Sequence, residues 1–208
     1  ADGDRVLYAH TLHHAGLIYY RQGIYGKAME RYMSSLQICE EENLERELST
    51  LYKNIGNVYS MFHDFDQSSA LYKKSLALAR KFKDYALENM ALNNLIFAYT
   101  DKTPLSQYRR WQQEMLVHPE TRVRYDYDGF MTEAQVLIYE RQPRKAIAVL
   151  RKAVDYCLKH HLQPISLASS YGTMSAIFLQ LGQRDSALVI ELRNPQIAKE
   201  TGKTALLI

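Results

Sequence analysis

The stretch Tyr52–Leu78, YKNIGNVYSMFHDFDQSSALYKKSLAL, decides how the chain is read. Apolar residues recur in it at three- and four-residue spacing, the period of a helix with one buried face. The segment His63-Asp64-Phe65-Asp66 interrupts that period and reads as a tight turn between two helices. Leu12–Ile38, LHHAGLIYYRQGIYGKAMERYMSSLQI, spells the same pattern forty residues earlier. Gly16 recurs as Gly56, Tyr19 as Tyr59, Tyr25 as Phe65, Ala28 as Ser68, Tyr32 as Tyr72 and Ser35 as Ser75. One helical hairpin cannot bury its apolar face alone, so hairpins that repeat in this way must stack.

Working outward, a first helix is expected from about Asp4, as N-cap, to Gln22, and a second from about Tyr25 to Glu41. Gly23 and Gly26 punctuate the turn between them, and the acidic run Glu40-Glu41-Glu42 reads as a solvated connection. The next pair covers about Leu44 to Met61 and Phe65 to Phe82. A third pair starts near Asp84. Its second helix opens at Thr103-Pro104, an N-cap followed by proline at the first helical position, and places Tyr108, Trp111 and Met115 in the core. His118-Pro119 closes that helix, and the stretch to Asp128 is either a loop or the frayed start of the next helix. A fourth pair flanks Gln142-Pro143-Arg144. A fifth follows Pro164, turns at Leu181-Gly182-Gln183-Arg184-Asp185 and stops at Asn194-Pro195. The expected units are therefore 5–43, 44–83, 84–118, 126–161 and 164–194 in a single array, with 195–208 a terminal capping helix or the start of a further unit. No segment alternates with period two for long enough to make a strand, so the chain reads as all-α.

The 208 residues carry a net charge of +3, a balance that argues against a dedicated nucleic-acid or membrane-surface binder. Arg141, Arg144, Lys145, Arg151 and Lys152 cluster at helical spacing, as a solvated face does. Cys39 and Cys157 sit among apolar helix positions and read as buried thiols too far apart to bridge. Free thiols suit a reducing compartment, hence a cytoplasmic placement; the alternative is a periplasmic sensor segment of a membrane protein. No apolar run reaches the roughly twenty residues of a membrane span, and no signal peptide precedes the first helix. The chain begins ADGDR and ends TALLI, and both ends read as cuts or processing sites.

The repeating residues resemble the tetratricopeptide repeat. That family's signature is a large residue, a small residue and an aromatic in helix A, then a turn, then alanine, aromatic and alanine in helix B. The first unit supplies Leu12, Gly16, Tyr19, Tyr25, Ala28, Tyr32 and Ser35; the second supplies Tyr52, Gly56, Tyr59, Phe65, Ser68, Tyr72 and Ser75. The fifth supplies Tyr171, Ser175, Phe178, Gly182 and Ala187. The third has Ile96 where the small residue belongs, and the fourth keeps Ala134, Ala146 and Ala153 but has Leu137 for the aromatic. The resemblance implies a right-handed superhelical α–α solenoid of about five hairpins. The forty-residue period implies longer helices than the family's usual repeat of 34.

The resemblance also implies a protein-interaction module that takes a polypeptide segment in a concave groove lined by each helix A. By phase, the candidate contacts are His13, Tyr20, Lys53, Asn57, Asn93, Asn94, Gln135 and Tyr139, side chains suited to bonding an extended backbone. Lys53, Asn57 and Asn94 match the first three places of a clamp with which some family members hold a peptide's C-terminal carboxylate. Asp128 and Thr132 occupy the last two places and depart from it. The alternative is a sensory or regulatory module of a larger bacterial signalling protein or transcriptional regulator. His10 and His14 stand one turn apart beside His13 without a further ligand to complete a zinc set. There is no phosphate loop, nucleophile elbow or carboxylate pair. No enzymatic activity, cofactor or metal is expected.

Overall fold

The computed structural model describes residues 2–98, 102–115 and 122–194. These residues form helices α1 (Asp2–Arg21), α2 (Tyr25–Glu41), α3 (Glu45–Met61), α4 (Phe65–Lys81), α5 (Tyr85–Phe97), α6 (Leu105–Met115), α7 (Arg122–Tyr139), α8 (Pro143–Lys159), α9 (Pro164–Gln180) and α10 (Arg184–Leu192). The chain divides into two compact units, 1–115 and 116–208.

In the first unit each helix packs chiefly against its chain neighbours, with lighter contacts between α1 and α3 and between α3 and α5. The forty-residue period arises from a step of twenty. Gly23, Asn43, His63 and Lys83 all have φ between 54° and 75°, in the left-handed region. Each is the residue after a helix C-cap. Its own N–H donates three residues back, and the next N–H donates five back: Leu44 to the Cys39 carbonyl at 2.8 Å, Asp64 to Tyr59 at 3.0 Å, Asp84 to Ala79 at 2.9 Å. Paired bonds of this kind satisfy the orphan carbonyls of a helix end. The residue after each left-handed position is already the N-cap of the next helix. Asp64 and Asp84 add side-chain caps, accepting from the Gln67 and Leu87 N–H groups at 3.1 and 3.0 Å. Helices α2, α3 and α4 are each 17 residues, about 25 Å long, and three-residue joints complete the step.

Glycine sets how closely helix A and helix B approach. A Cβ on Gly56 would lie 2.7 Å from Tyr72 Cε1, and one on Gly16 would lie 2.6 Å from Tyr32 Cδ1 and Cε1. Each tyrosine ring therefore occupies the space that a side chain at the glycine would need. Around these pairs the first unit's core gathers Ala28, Leu36, Cys39, Leu51, Ile55 and Val58. Burial of a leucine, isoleucine or valine contributes about 1.5–3 kcal/mol. Small hydroxyls bond backbone across the hairpins: Ser35 Oγ donates to the Ala9 carbonyl at 2.8 Å, and Ser49 Oγ to the Ser75 carbonyl at 3.0 Å. In the second hairpin the bond runs the other way, and Ser75 Oγ is left buried without a partner.

The second unit follows the same plan. α7 packs on α8, α8 on α9, and α9 on α10, about a core that includes Met131, Ala134, Leu150, Ala153, Met174 and Phe178. Arg141, His161 and Gly182 hold its left-handed positions. The Tyr127 hydroxyl donates to the Ser166 carbonyl at 2.7 Å, and Ser175 Oγ to Glu191 Oε1 at 2.7 Å.

Several expectations change in detail. The first helix starts by Asp2, so Asp4 lies inside it rather than at its N-cap. The acidic run is exposed at Glu40 and Glu41, as expected, and is also engaged at the surface: Arg5 pairs with Glu41 and Glu42, and the Tyr52 hydroxyl donates to Glu40. Helix α7 is already formed at Arg122, earlier than the expected unit boundary at 126. The core role of Tyr108, Trp111 and Met115 and the two buried free cysteines agree with the reading of the sequence, while α6 begins at Leu105, so Pro104 precedes the helix rather than filling its first position. His118, Pro119, Pro195 and the terminal segment 195–208 lie outside the described residues.

Candidate functional site

Helices α1, α3 and α5, the first helix of each hairpin in the first unit, share a face on which polar side chains bond from one repeat to the next. His13 of α1 is half-buried, and Asn54 of α3 approaches its Nε2 at 2.7 Å. Burial, then the neighbouring His14, Lys53 and His10, lower the His13 pKa to about 4. The imidazole is thus neutral at physiological pH and accepts from the Asn54 amide. Asn57 and Asn94 make the next link. Asn57 Oδ1 accepts from Asn94 Nδ2 at 3.0 Å and from the Tyr72 hydroxyl at 2.9 Å. Lys53 lies one helical turn before Asn57, and its Nζ reaches the Met90 sulfur at 3.9 Å. Burial lowers the Lys53 pKa, opposed by the nearby charge of Asp84.

Tyr20 stands at the turn end of α1. Its ring centroid is 5.5 Å from that of Tyr25, which in turn lies 6.3 Å from Phe62. Its phenol is close enough to Tyr32 and Tyr72 to contribute to the upward shift of both. Burial dominates that shift; it takes Tyr32 to about 12, and Tyr72 likewise stays a protonated donor. Asn93 is half-buried on α5. Gln135 and Tyr139 are half-buried on α7 of the second unit, so six of the eight expected contacts fall on the first compact unit and two on the second.

The departure from a carboxylate clamp has a structural side. Thr132 is fully buried, and its hydroxyl donates to the Gly129 carbonyl at 3.1 Å. Such a side chain cannot take the place of a groove cation. Two members of the first unit's network were not singled out from sequence. Asn54 is 6% exposed and sits among Leu51, Ile55 and Val58, so a polar residue at a core phase was its signal. The sequence pattern gives Tyr72 a packing role alone; nothing in a one-dimensional pattern shows where a phenol oxygen ends.

Paired helices that approach through a glycine gap and bond from one helix A to the next define a helical-repeat protein. Residues 7–81, which end with α4, match the family model described as the tetratricopeptide repeat. Among solved structures, a Rap protein complexed with Competence and Sporulation Factor is 14% identical, with a TM-score of 0.70 over 97% of this chain. The chain spans 57% of that protein's length. The apo form of RapI is 14% identical with a TM-score of 0.64, covering 94% of this chain and 72% of RapI. A Podosopora anserina protein assigned as a kinesin light chain, with nearly identical TPR-like repeats, is 14% identical with a TM-score of 0.58; the likeness covers 92% of this chain and 95% of that one. At these identities the likeness is one of fold. No curated protein matches the sequence. Among the described residues no helix is long and apolar enough to cross a membrane.

Proposed function

We propose that the chain is a non-enzymatic protein-interaction module that binds an extended polypeptide segment on the face shared by α1, α3 and α5. The observation that carries this reading is the Asn57–Asn94 link with Lys53 beside it. These side chains are half-buried and aligned across repeats, and they keep hydrogen-bonding capacity that the fold does not consume. An extended chain needs donors and acceptors at regular intervals, and its lost freedom is offset best by groups already held in place. The solved Rap complex supports the reading by likeness, since that protein of the same fold holds a factor. A second reading, a regulatory segment of a larger signalling protein, is favoured by the share of the Rap protein that the likeness spans. It is compatible with the first, because a module that binds a peptide is what such a segment would contribute.

A library of random twelve-residue peptides selected on the protein tests the proposal. Binders should lose about tenfold or more in affinity against a Lys53→Ala, Asn57→Ala double variant. Equal binding by wild type and variant would overturn it.

A further inference from the structure

We propose that Tyr72 is a positioning residue for this face: its buried hydroxyl, brought to the groove side by the gap at Gly56, presets the Asn57 carboxamide. The inference rests on the reading of α1, α3 and α5 as the binding face.

Tyr72 belongs to helix B and is 3% exposed, so its ring is a packing group. Only because residue 56 lacks a Cβ can that ring lie against α3 and carry its oxygen to Asn57. A carboxamide has two donors on nitrogen and two lone pairs on oxygen. At Asn57 both lone pairs are engaged, one by the Tyr72 hydroxyl and one by Asn94 Nδ2. Neither the Asn57 Nδ2 donors nor the Asn94 Oδ1 acceptor bonds another described residue. The face therefore presents an amide donor next to a carbonyl acceptor, with the order set from beneath by Tyr72.

That order names the partner's chemistry. In an extended chain the N–H and C=O of a single residue point to the same side, as in the hydrogen-bonded pairs of an antiparallel ladder. One such residue can offer its C=O to Asn57 and its N–H to Asn94. Proline cannot, because it has no N–H. The site thus fits an extended main chain with a non-proline residue at this one place and is indifferent to that residue's side chain.

The first repeat lacks the device. Tyr32 lies under Gly16 in the same way, but the residue after the glycine is Leu17, which has no amide to hold.

Two measurements test this. In the first, which needs no ligand, side-chain NMR follows the Asn57 and Asn94 amide groups in wild type and Tyr72→Phe. The phenylalanine keeps the ring and removes the hydroxyl. The Asn57 Nδ2 resonances should move and broaden as the carboxamide loses its fixed rotamer; unchanged resonances would overturn the inference. In the second, library-selected twelve-residue peptides are titrated against variants. Tyr72→Phe should weaken binding about tenfold, the equivalent of one hydrogen bond. Asn57→Asp keeps an acceptor for Tyr72 and Asn94 but replaces the outward donors, and should weaken binding further. N-methylation scanned along the peptide should cost about tenfold at one residue. Full affinity for Tyr72→Phe would overturn the role of Tyr72 while leaving the binding face in place. A library that yields no binder sensitive to Lys53→Ala, Asn57→Ala would instead overturn the parent reading, and the NMR arm would still decide the role of Tyr72.

Discussion

The residue that follows the helix-A glycine is Leu17 in the first repeat and Asn57 in the second. Beneath each glycine a tyrosine ring fills the same space, and the rings approach to within 2.6 and 2.7 Å of the missing Cβ positions. The two repeats thus share one packing device and differ in what it supports. Under Leu17 the Tyr32 ring faces His13, 5.8 Å between centroids, and serves the core. Under Asn57 the Tyr72 phenol ends in a hydrogen bond to the Asn57 carboxamide at 2.9 Å. Two repeats can therefore share one interior device and differ in what it supports through a single neighbouring position.

The largest test of that comparison is the glycine itself. Gly56→Ala and Gly16→Ala should each destabilise the protein by about 2–3 kcal/mol, because the methyl must push an aromatic ring that is itself buried. Denaturant titration would give both values, and similar losses are expected. Only Gly56→Ala should also disturb the Asn57–Asn94 link. If either substitution were neutral, the close approach would not be what governs the hairpin.

Acid comes next. His13 titrates at 6.5 when unfolded and at about 4 in the folded chain. Between those values the unfolded chain holds the extra proton, so stability falls as pH drops from about 6.5 to about 4. With solvent screening at this half-exposed ring, the loss should be about 1–2 kcal/mol. A protonated imidazole would also turn an N–H toward the Asn54 amide. His13→Asn should remove that part of the acid sensitivity, and superimposable pH profiles would refute the assignment.

The paired serines give a smaller contrast of opposite sign. Ser35→Ala removes the bond to the Ala9 carbonyl and should cost about 1 kcal/mol. Ser75→Ala removes a buried hydroxyl with no partner and should be neutral or stabilise by about 0.5 kcal/mol. Equal losses would show that both hydroxyls are bonded in solution. Smallest of all, Lys83→Gly relieves a left-handed lysine at φ 54° and should stabilise by about 0.5 kcal/mol after the added chain entropy is offset. Gly23→Ala, at φ 75°, should do the reverse by about 1 kcal/mol, read from thermal midpoints.

Most of the architecture was legible because periodic burial leaves a strong trace. The spacing predicts a second helix from Tyr25 to Glu41 and α2 lies there, and Pro104 immediately precedes α6. The twenty-residue step was not legible. Only Gly23 and Gly182 announce a left-handed joint, while Asn43, His63, Lys83 and Arg141 adopt the same conformation within paired carbonyl bonds, and His161 adopts it beside the single bond from Leu162 to the Cys157 carbonyl. On the face, Lys53, Asn57 and Asn94 followed from phase, since phase fixes which side of a helix a residue occupies. Asn54 and Tyr72 did not, because a hydrogen bond between repeats depends on distances that no spacing encodes. The surface pairing of the acidic run after α2 is not legible for a similar reason: its partner Arg5 lies 36 residues away, at the far end of α1.

The recurrent joint makes the repeat transferable. Lys83 and Asn43 close their helices with the same two backbone bonds, and in each case the following residue opens the next helix. A duplicated copy of 44–83 would meet both of its neighbours through a junction that the chain already uses, with Asp84 in the role of Leu44. Each inserted cassette would bring its own Gly56, Tyr72 and Asn57 equivalents. Evolution or an engineer can thus lengthen the array in increments of one forty-residue hairpin without designing a new connection.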